Sequence, residues 1–347
     1  MASKTYPLFC MGNPLLDMQV RDGEALLKKY ELKANDAILA GPEHYPIYED
    51  VVKNYEVTYV AGGAAQNAAR GAAYVLPANS VVYTGCVGDD DLSEQLKAAN
   101  KREGLTDAYL VKKGEKTGAC AVVITGDHRS LVTDLRSAEK FEQSHLSSPA
   151  VGPLVDGARV FYVEGYFLTH GLQSMLEIGR KASQASKVFV LNISAPFIAG
   201  FGNEDHTYLS EVVPYCDIII GNEAEAESWA VAHKLPANTE LKTIAKALAI
   251  EPKANPSRPR IVIFTQGADS TILVSSAEPD LPKVYPVNKV DNIVDTNGAG
   301  DAFAGGFLGA FVAGKSIDDC VEAGHKLGAM CVQQIGPQYQ WPKVQIL

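Results

Sequence analysis

Residues 295–307 read DTNGAGDAFAGGF and set an acid where an anion would bind. Gly298, Ala299 and Gly300 are three small residues at what reads as the start of a helix. A helix start exposes backbone N–H groups at the positive end of the helix dipole, and small side chains let a phosphate reach them. Asp301 follows at once, in the first turn. A carboxylate beside a bound anion is unfavourable unless it has a chemical role. If the anion is a phosphoryl group, the carboxylate can position or deprotonate the hydroxyl that attacks it. The plainer reading is a turn, Asp-Thr-Asn-Gly, followed by an acid that complements the dipole. Two features favour chemistry. Strand-like runs at 261–264 and 272–274 precede the motif, and small residues continue through Ala302, Ala304, Gly305 and Gly306. Each glycine inside a helix costs roughly 1 kcal/mol relative to alanine, so it needs a packing or ligand reason.

Further candidates follow strand-like runs. Asn13 and Asp17, in GNPLLD, come after the first strand, and a carboxylate there suits two vicinal hydroxyls of a sugar; a turn with a surface acid is the alternative. Gly62 and Gly63 precede a helical segment and let backbone lie close to a flat ligand, with Asn67 in reach of a hydroxyl; a plain helix start reads equally well. Asn222 and Glu225 follow another strand. Glu225 could organise a magnesium ion through water, or belong with Glu223 and Glu227 to an acidic first turn. Thr265 and Gly267 suit a phosphate or adenine neighbour. Arg129, in a hairpin loop, is either an exposed charge or a mobile cation for a transferring phosphoryl group.

The elements that must position these residues alternate. Short apolar runs at 7–11, 80–83, 159–163, 187–191, 217–220 and 260–264 read as buried strands. Helical segments at 92–103, 173–185, 223–232 and 241–249 lie between them. Such alternation predicts an α/β fold with a mostly parallel sheet and a ligand beyond the carboxyl ends of its strands. The run 56–60 and a hairpin from 119–124 and 129–135, turning at Gly126-Asp127, alternate polar and apolar instead. They predict a small inserted β-sheet that acts as a lid, with a simple edge extension as the alternative. The body would take residues 1–15, 64–110 and 138–347, and the lid 16–63 and 111–137.

Residues 309–316, GAFVAGKS, match the spacing of a P-loop but not its mechanism. Ala310, Phe311, Val312 and Ala313 read as the last core turn of a helix, Gly314 as its C-terminal stop, and Ser316 with Asp319 as the next helix start.

Composition bounds the rest. The chain has 347 residues, 46% of them hydrophobic, enough for one large domain or two. A net charge of −10 and no basic stripe argue against a nucleic-acid partner. Cys10, Cys86, Cys120, Cys216, Cys320 and Cys331 are scattered without CxxC spacing, as expected of buried thiols in a reducing cytoplasm. MASKTYPLFCMG has no signal-peptide character, and no run approaches 18 apolar residues, so no membrane partner is expected. The Asn192-Ile-Ser194 sequon reads as chance.

Together these residues resemble the ribokinase-like (PfkB) family of carbohydrate and nucleoside kinases. DTNGAGDAF is similar to its C-terminal signature and Gly62-Gly63 to its glycine pair, with motifs in matching order from Asn13 to His325. GNPLLD, Gln66-Asn67 after the glycine pair, and TGDHRSL at 125–131 resemble the members that act on adenosine. The resemblance implies a three-layer α/β body with a β-sheet lid, and ATP-dependent phosphorylation of adenosine at the ribose 5′-hydroxyl. It makes Asp301 the base, with Gly298, Ala299 and Gly300 holding the γ-phosphoryl group. Asp17, Gly62, Gly63 and Asn67 would bind the ribose, Asn13 would lie near the base, and Arg129 would reach the phosphates. Asn222 and Glu225 would serve magnesium and phosphate, Glu225 through water; Thr265, Gly267, Asn297 and His325 would lie on the ATP side. Ala37 and Ala64 stand where animal relatives often carry glutamine and serine, which leaves base selectivity open. The resemblance further implies a cytoplasmic protein, with the nucleus also open to it, and a monomer is expected. The alternatives are a kinase for a free sugar such as ribose or fructose, and a non-catalytic nucleotide-binding protein.

Overall fold

All six apolar runs become strands of one sheet in a computed structural model, which describes residues 5–34, 36–126, 128–203 and 206–347. The strand order is Lys283–Tyr285, Asp269–Ser275, Ile261–Gln266, Ile218–Asn222, Val188–Asn192, Val160–Glu164, Leu8–Met11, Val81–Thr84 and Thr106–Asp107. Pairing is parallel from Ile261–Gln266 to Thr106–Asp107 and antiparallel at the opposite edge. The six strands read from the sequence are largely apolar because both faces are covered, whereas the edge strands Thr106–Asp107 and Lys283–Tyr285 are more polar. Phe9, Phe161 and Phe189 pack with helices Leu168–Gln184, Glu223–Ala232 and Leu241–Ala249. Leu8, Cys10, Tyr162 and Val190 face the other way, against Ala64–Val75, Ala299–Val312 and Ile317–Cys331. The result is three layers. The helix expected at 173–185 begins earlier, at Leu168, and leaves helical geometry at Gly171 (φ −111°, ψ 19°), just before the start the sequence suggested.

A separate five-stranded sheet has the order Ala37–Leu39, His128–Asp134, Gly118–Thr125, Leu15–Arg21 and Thr58–Gly62. It contains the expected hairpin, whose tip residue Asp127 lies outside the described residues, as do Met1–Lys4 of the expected body. Met18, Val20, Val123 and Val132 pack under Leu26, Ile47 and Val51 of two short helices. Asp17, Cys120 and Thr133 line the cavity described below. Leu15–Arg21 escaped the sequence reading because Asp17 and Gln19, both buried, interrupt its apolar pattern. Ala37–Leu39 is too short to show one.

The last residues return along Ala64–Val75. Tyr339 Oη donates to Asn67 O (3.2 Å), Tyr74 Oη to Gln340 O (2.7 Å) and Lys343 Nζ to Ala73 O (2.9 Å). All six cysteines are buried.

The P-loop pattern has no P-loop structure. Ala310–Val312 complete the helix, and Gly314 (φ 77°) ends it, its N–H bonding Phe311 O and that of Lys315 bonding Ala310 O. The Ser316 side chain accepts from Asp319 N (3.1 Å) and caps the next helix. Lys315 is exposed. Lys315→Ala is expected to leave turnover unchanged and stability within about 0.5 kcal/mol of the wild type, checked by steady-state assay and thermal melting.

Candidate active site

Two helices meet with almost no side chain between them. A Cβ placed on Gly305 would lie 2.6 Å from Ala68 O and 2.8 Å from Gly71 Cα, and one on Gly309 would lie 2.7 Å from Val75 Cβ. Helix Ala299–Val312 therefore runs alongside Ala64–Val75 in the same direction, turn against turn. One turn before the Gly71–Gly305 contact come Asn67 and Asp301, and Asn67 Nδ2 donates to Asp301 Oδ2 at 2.9 Å. The small residues of the motif have their packing reason, and that packing joins the two glycine motifs.

Gly298 takes the left-handed conformation (φ 78°) as N-cap, and a Cβ there would meet Pro337 Cβ at 2.6 Å. Ala299 N donates to Thr296 O (3.2 Å), so its N–H closes the turn rather than facing a ligand. Gly300 and Asp301 follow with N–H groups that the first turn of a helix leaves without an acceptor. Space is open around Gly300, where an added Cβ meets nothing within 4 Å.

Opposite lies the end of strand Leu8–Met11. Gly63 has φ 89°, and a Cβ on it would overlap Asn13 O; one on Gly62 would overlap Asp17 Oδ1. Glu164 joins the two segments, accepting from Asn13 N and Ala65 N at 2.6 Å each. Asn13 Oδ1 accepts from His170 Nε2 (2.9 Å), a ring that burial keeps neutral by lowering its pKa to about 4. Asn222 and Glu225 form a reciprocal capping box, with Glu225 N donating to Asn222 Oδ1 and Asn222 N to Glu225 Oε2.

These groups enclose one cavity of about 320 Å³. Asn13, Asp17, Gly63, Asn67, Asn222, Glu225, Asn297, Gly298, Ala299, Gly300 and Asp301 all line it, with Ala37 and Ala64. Gly62 sits behind Asp17. Among the described residues, Thr265, Gly267 and His325 are not part of that lining, and His325 bonds Thr271 Oγ1 at 2.8 Å. Arg129 does not line it either; its guanidinium pairs with the buried carboxylate of Asp295. That carboxylate also accepts from Asn297 N (2.8 Å) and Gly336 N (2.6 Å).

Four carboxyl groups share the cavity, and burial raises all of them. Asp17 rises to about 7, helped by the charge of Asp301, Glu164 to about 8 and Glu225 to about 7. Asp301 also rises to about 7 by burial, opposed by the Asn67 hydrogen bond and the charge of Arg70. An acid titrating near neutrality beside open N–H groups is suited to accept a proton from a hydroxyl while the N–H groups hold an anion.

A sequence model of the pfkB carbohydrate kinase family matches residues 25–344. The chain belongs to that family. Among pfkB relatives it is 67% identical over 345 residues to an adenosine kinase of Schizophyllum commune, covering 99% of each chain. It is 43% identical to one of Schizosaccharomyces pombe, covering 98% of each. Its fold is similar to that of Anopheles gambiae adenosine kinase in complex with P1,P4-di(adenosine-5) tetraphosphate. There the TM-score is 0.89 and the identity 36%, over 95% of this chain and 96% of that one. Schistosoma mansoni adenosine kinase in complex with adenosine gives a TM-score of 0.90 at 31% identity, over 96% and 97%.

The sequence reading missed some lining residues of this pfkB chain. Glu164 is the main one, and its signal was a lone acid ending an otherwise apolar strand, VFYVE. Ile38, Leu39, Leu131, Leu135 and Phe197 give the cavity an apolar wall that no local pattern announced.

The raised acids make folding pH-dependent. Asp301 keeps its proton in the folded chain to about 7, whereas its ordinary value is 3.8. The folded state thus binds more protons between those values, and stability is lost as pH rises through them. Asp301→Asn should raise the Tm of the ligand-free protein by roughly 2–4 °C more at pH 8 than at pH 5, with the gain disappearing only below the ordinary carboxyl value of 3.8, measured by calorimetry.

Proposed function

We propose that this kinase transfers the γ-phosphoryl group of ATP to the ribose 5′-hydroxyl of adenosine, giving AMP and ADP in purine salvage. The observation that carries the reading is the Asn67–Asp301 hydrogen bond, set in the cavity beside the Gly300 N–H. The adenosine kinases above match this chain along nearly its full length. The apolar wall favours a nucleoside over a free sugar, because ribose or fructose would leave Ile38, Leu39, Leu131, Leu135 and Phe197 without a partner.

In this reading Asp301 takes the proton of the attacking hydroxyl. The hydroxyl's pKa lies far above that of any carboxyl group, so the proton moves late, in a loose transition state. Electrostatics at the helix start then carry most of the barrier reduction. Asp17, Gly63 and Asn67 hold the ribose hydroxyls, with Gly62 supporting Asp17, and Asn13 faces the base. Gly298 and Gly300 frame the anion site, with Ala299 holding the turn between them. Asn222, Asn297, Thr265, Gly267 and His325 form the ATP side. Arg129 belongs to the small sheet, residues 16–63 and 111–137, which closes over the body as a lid. Its ion pair with Asp295, just before the Gly298 turn, supports a role near the phosphates. Ala37 and Ala64 offer no side-chain hydrogen bonds, so base selection rests on shape and on Asn13.

Magnesium fits as an ion delivered with the phosphates. Glu225 offers one buried carboxylate already engaged by Asn222, and no cluster of three metal-binding acids, histidines or cysteines occurs among the described residues. Such a donor suits a hydrated ion through water. When bound, the ion neutralises charge on the phosphates.

We also take the chain to act as a monomer in the cytoplasm, with the nucleus also open to it. Residues of the small sheet line the cavity, which supports a site built from one chain, and the buried thiols suit a reducing compartment.

Two measurements test the assignment. Asp301→Asn should lower turnover on the order of 10²–10⁴-fold while ATP still binds, and near-normal turnover would remove Asp301 from its role. Side-by-side assays should give a kcat/KM for adenosine on the order of 10²–10³-fold above that for ribose; the reverse order would make this a sugar kinase.

A further inference from the structure

The mechanism above leaves the buried charge of Arg70 unused. Arg70 is 1% exposed, on helix Ala64–Val75, one turn beyond Asn67. Its guanidinium reaches four segments. Nε and Nη2 donate to Glu103 (2.6 and 2.9 Å), Nη1 to Ala61 O (2.7 Å) and Asn67 Oδ1 (3.3 Å), and Nη2 also to Pro337 O (3.1 Å). Two of these contacts lead to the reacting groups. The first is Asn67. A side-chain amide has a donor end and an acceptor end, and only one orientation suits this site. With Oδ1 on the guanidinium, Nδ2 faces the Asp301 carboxylate. The reversed amide would set N–H against N–H at Arg70 and oxygen against oxygen at Asp301. The second is Pro337, which packs against Gly298 at the left-handed turn that opens the anion site.

We propose that Arg70 is a positioning residue for phosphoryl transfer. It fixes the Asn67 amide with its N–H toward Asp301, and it backs the Gly298 turn through Pro337. This rests on the reading of Asp301 as the base.

The charge of Arg70 gives the proposal a readout that a purely structural ion pair lacks. The ionisable groups around Asp301 are Asp17 on the small sheet and Tyr162, Glu164 and Tyr166 on and after one body strand. Glu225 at a helix start, Cys331 on the last helix and Tyr339 in the C-terminal segment join them, and Asp295, ion-paired with Arg129, acts on Asp17 and Cys331. Arg70 is the cation that opposes the burial of Asp301. Removing it raises the pH at which Asp301 gives up its proton.

The test compares kcat against pH, with adenosine and ATP saturating, for wild type, Arg70→Met/Glu103→Gln, Glu103→Gln, Arg70→Lys and Asp301→Asn. The double variant leaves no lone buried charge. Its kcat should fall about 10–10²-fold with a smaller change in adenosine KM, and its acid limb should move up by about one pH unit. Glu103→Gln removes a negative charge and should move the limb the other way, by less. Arg70→Lys keeps the charge and loses the fork, so its limb should stay while kcat falls about tenfold. A folded double variant with kcat within about threefold of wild type and an unmoved limb would overturn the proposal. If the double variant does not fold, Arg70→Lys decides: kcat within about threefold of wild type overturns it. An active Asp301→Asn would instead sink the reading of the base. An inactive Asp301→Asn beside normal Arg70 variants would sink only the role of Arg70.

Discussion

The site depends on the contact between helices Ala64–Val75 and Ala299–Val312. Gly71 and Gly305 remove the side chains that would hold these helices apart, so their backbones approach to near contact. Ordinary helix packing separates axes by about 8–10 Å and lets the helices slide and rotate within their ridges. Here the backbone itself sets the register. Asn67 and Asp301 then meet because each lies one turn before its glycine. The helical cost of these glycines, roughly 1 kcal/mol each, is offset where they allow this approach. On the other face of the same helix Gly306 lies against Ala323 and Gly324, which fixes the helix from both sides.

The second constraint is electrostatic. Asp17, Glu164, Glu225 and Asp301 face one cavity, and burial raises the pKa of each. A fold selected for stability alone would not gather them. The backbone answers part of the charge: Glu164 accepts from Asn13 and Ala65, and Glu225 accepts from Asn222. These acids are thus both walls of the cavity and ties between its segments.

The fold was largely legible because its signals are local. Apolar runs of four to five residues marked the strands of the body, and glycines before an acid marked a helix start that lines the cavity. The positions that matched family motifs gathered in one cavity on the substrate side and at the helix start. Legibility failed where a residue's environment depends on distant chain. Arg70 reads as an ordinary helix charge, and only the fold surrounds it with Ala61, Glu103 and Pro337. Arg129 reads as a loop cation, and nothing near it in sequence names Asp295 as its partner. Ala299 reads as a donor to phosphate, whereas the turn through Thr296 uses its N–H. Leu15–Arg21 reads poorly as a strand because Asp17 and Gln19 are buried, Asp17 against the cavity, rather than facing solvent.

The return of the last residues along Ala64–Val75 bears on how the molecule is made. Ribosomes deliver Asp17, Asn67 and Arg70 well before Asp301, Pro337 and Tyr339. Domains begin to fold as the chain emerges, but contacts between such distant positions must wait. Until residues 337–343 dock, Asn67 lacks its tie to Tyr339, Ala73 its tie to Lys343, and Arg70 one of its carbonyl partners. A nascent chain can therefore build much of the parallel sheet while its reacting groups remain unassembled. Segments far apart in sequence thus complete one hydrogen-bonded cluster only after residues 337–343 have joined it.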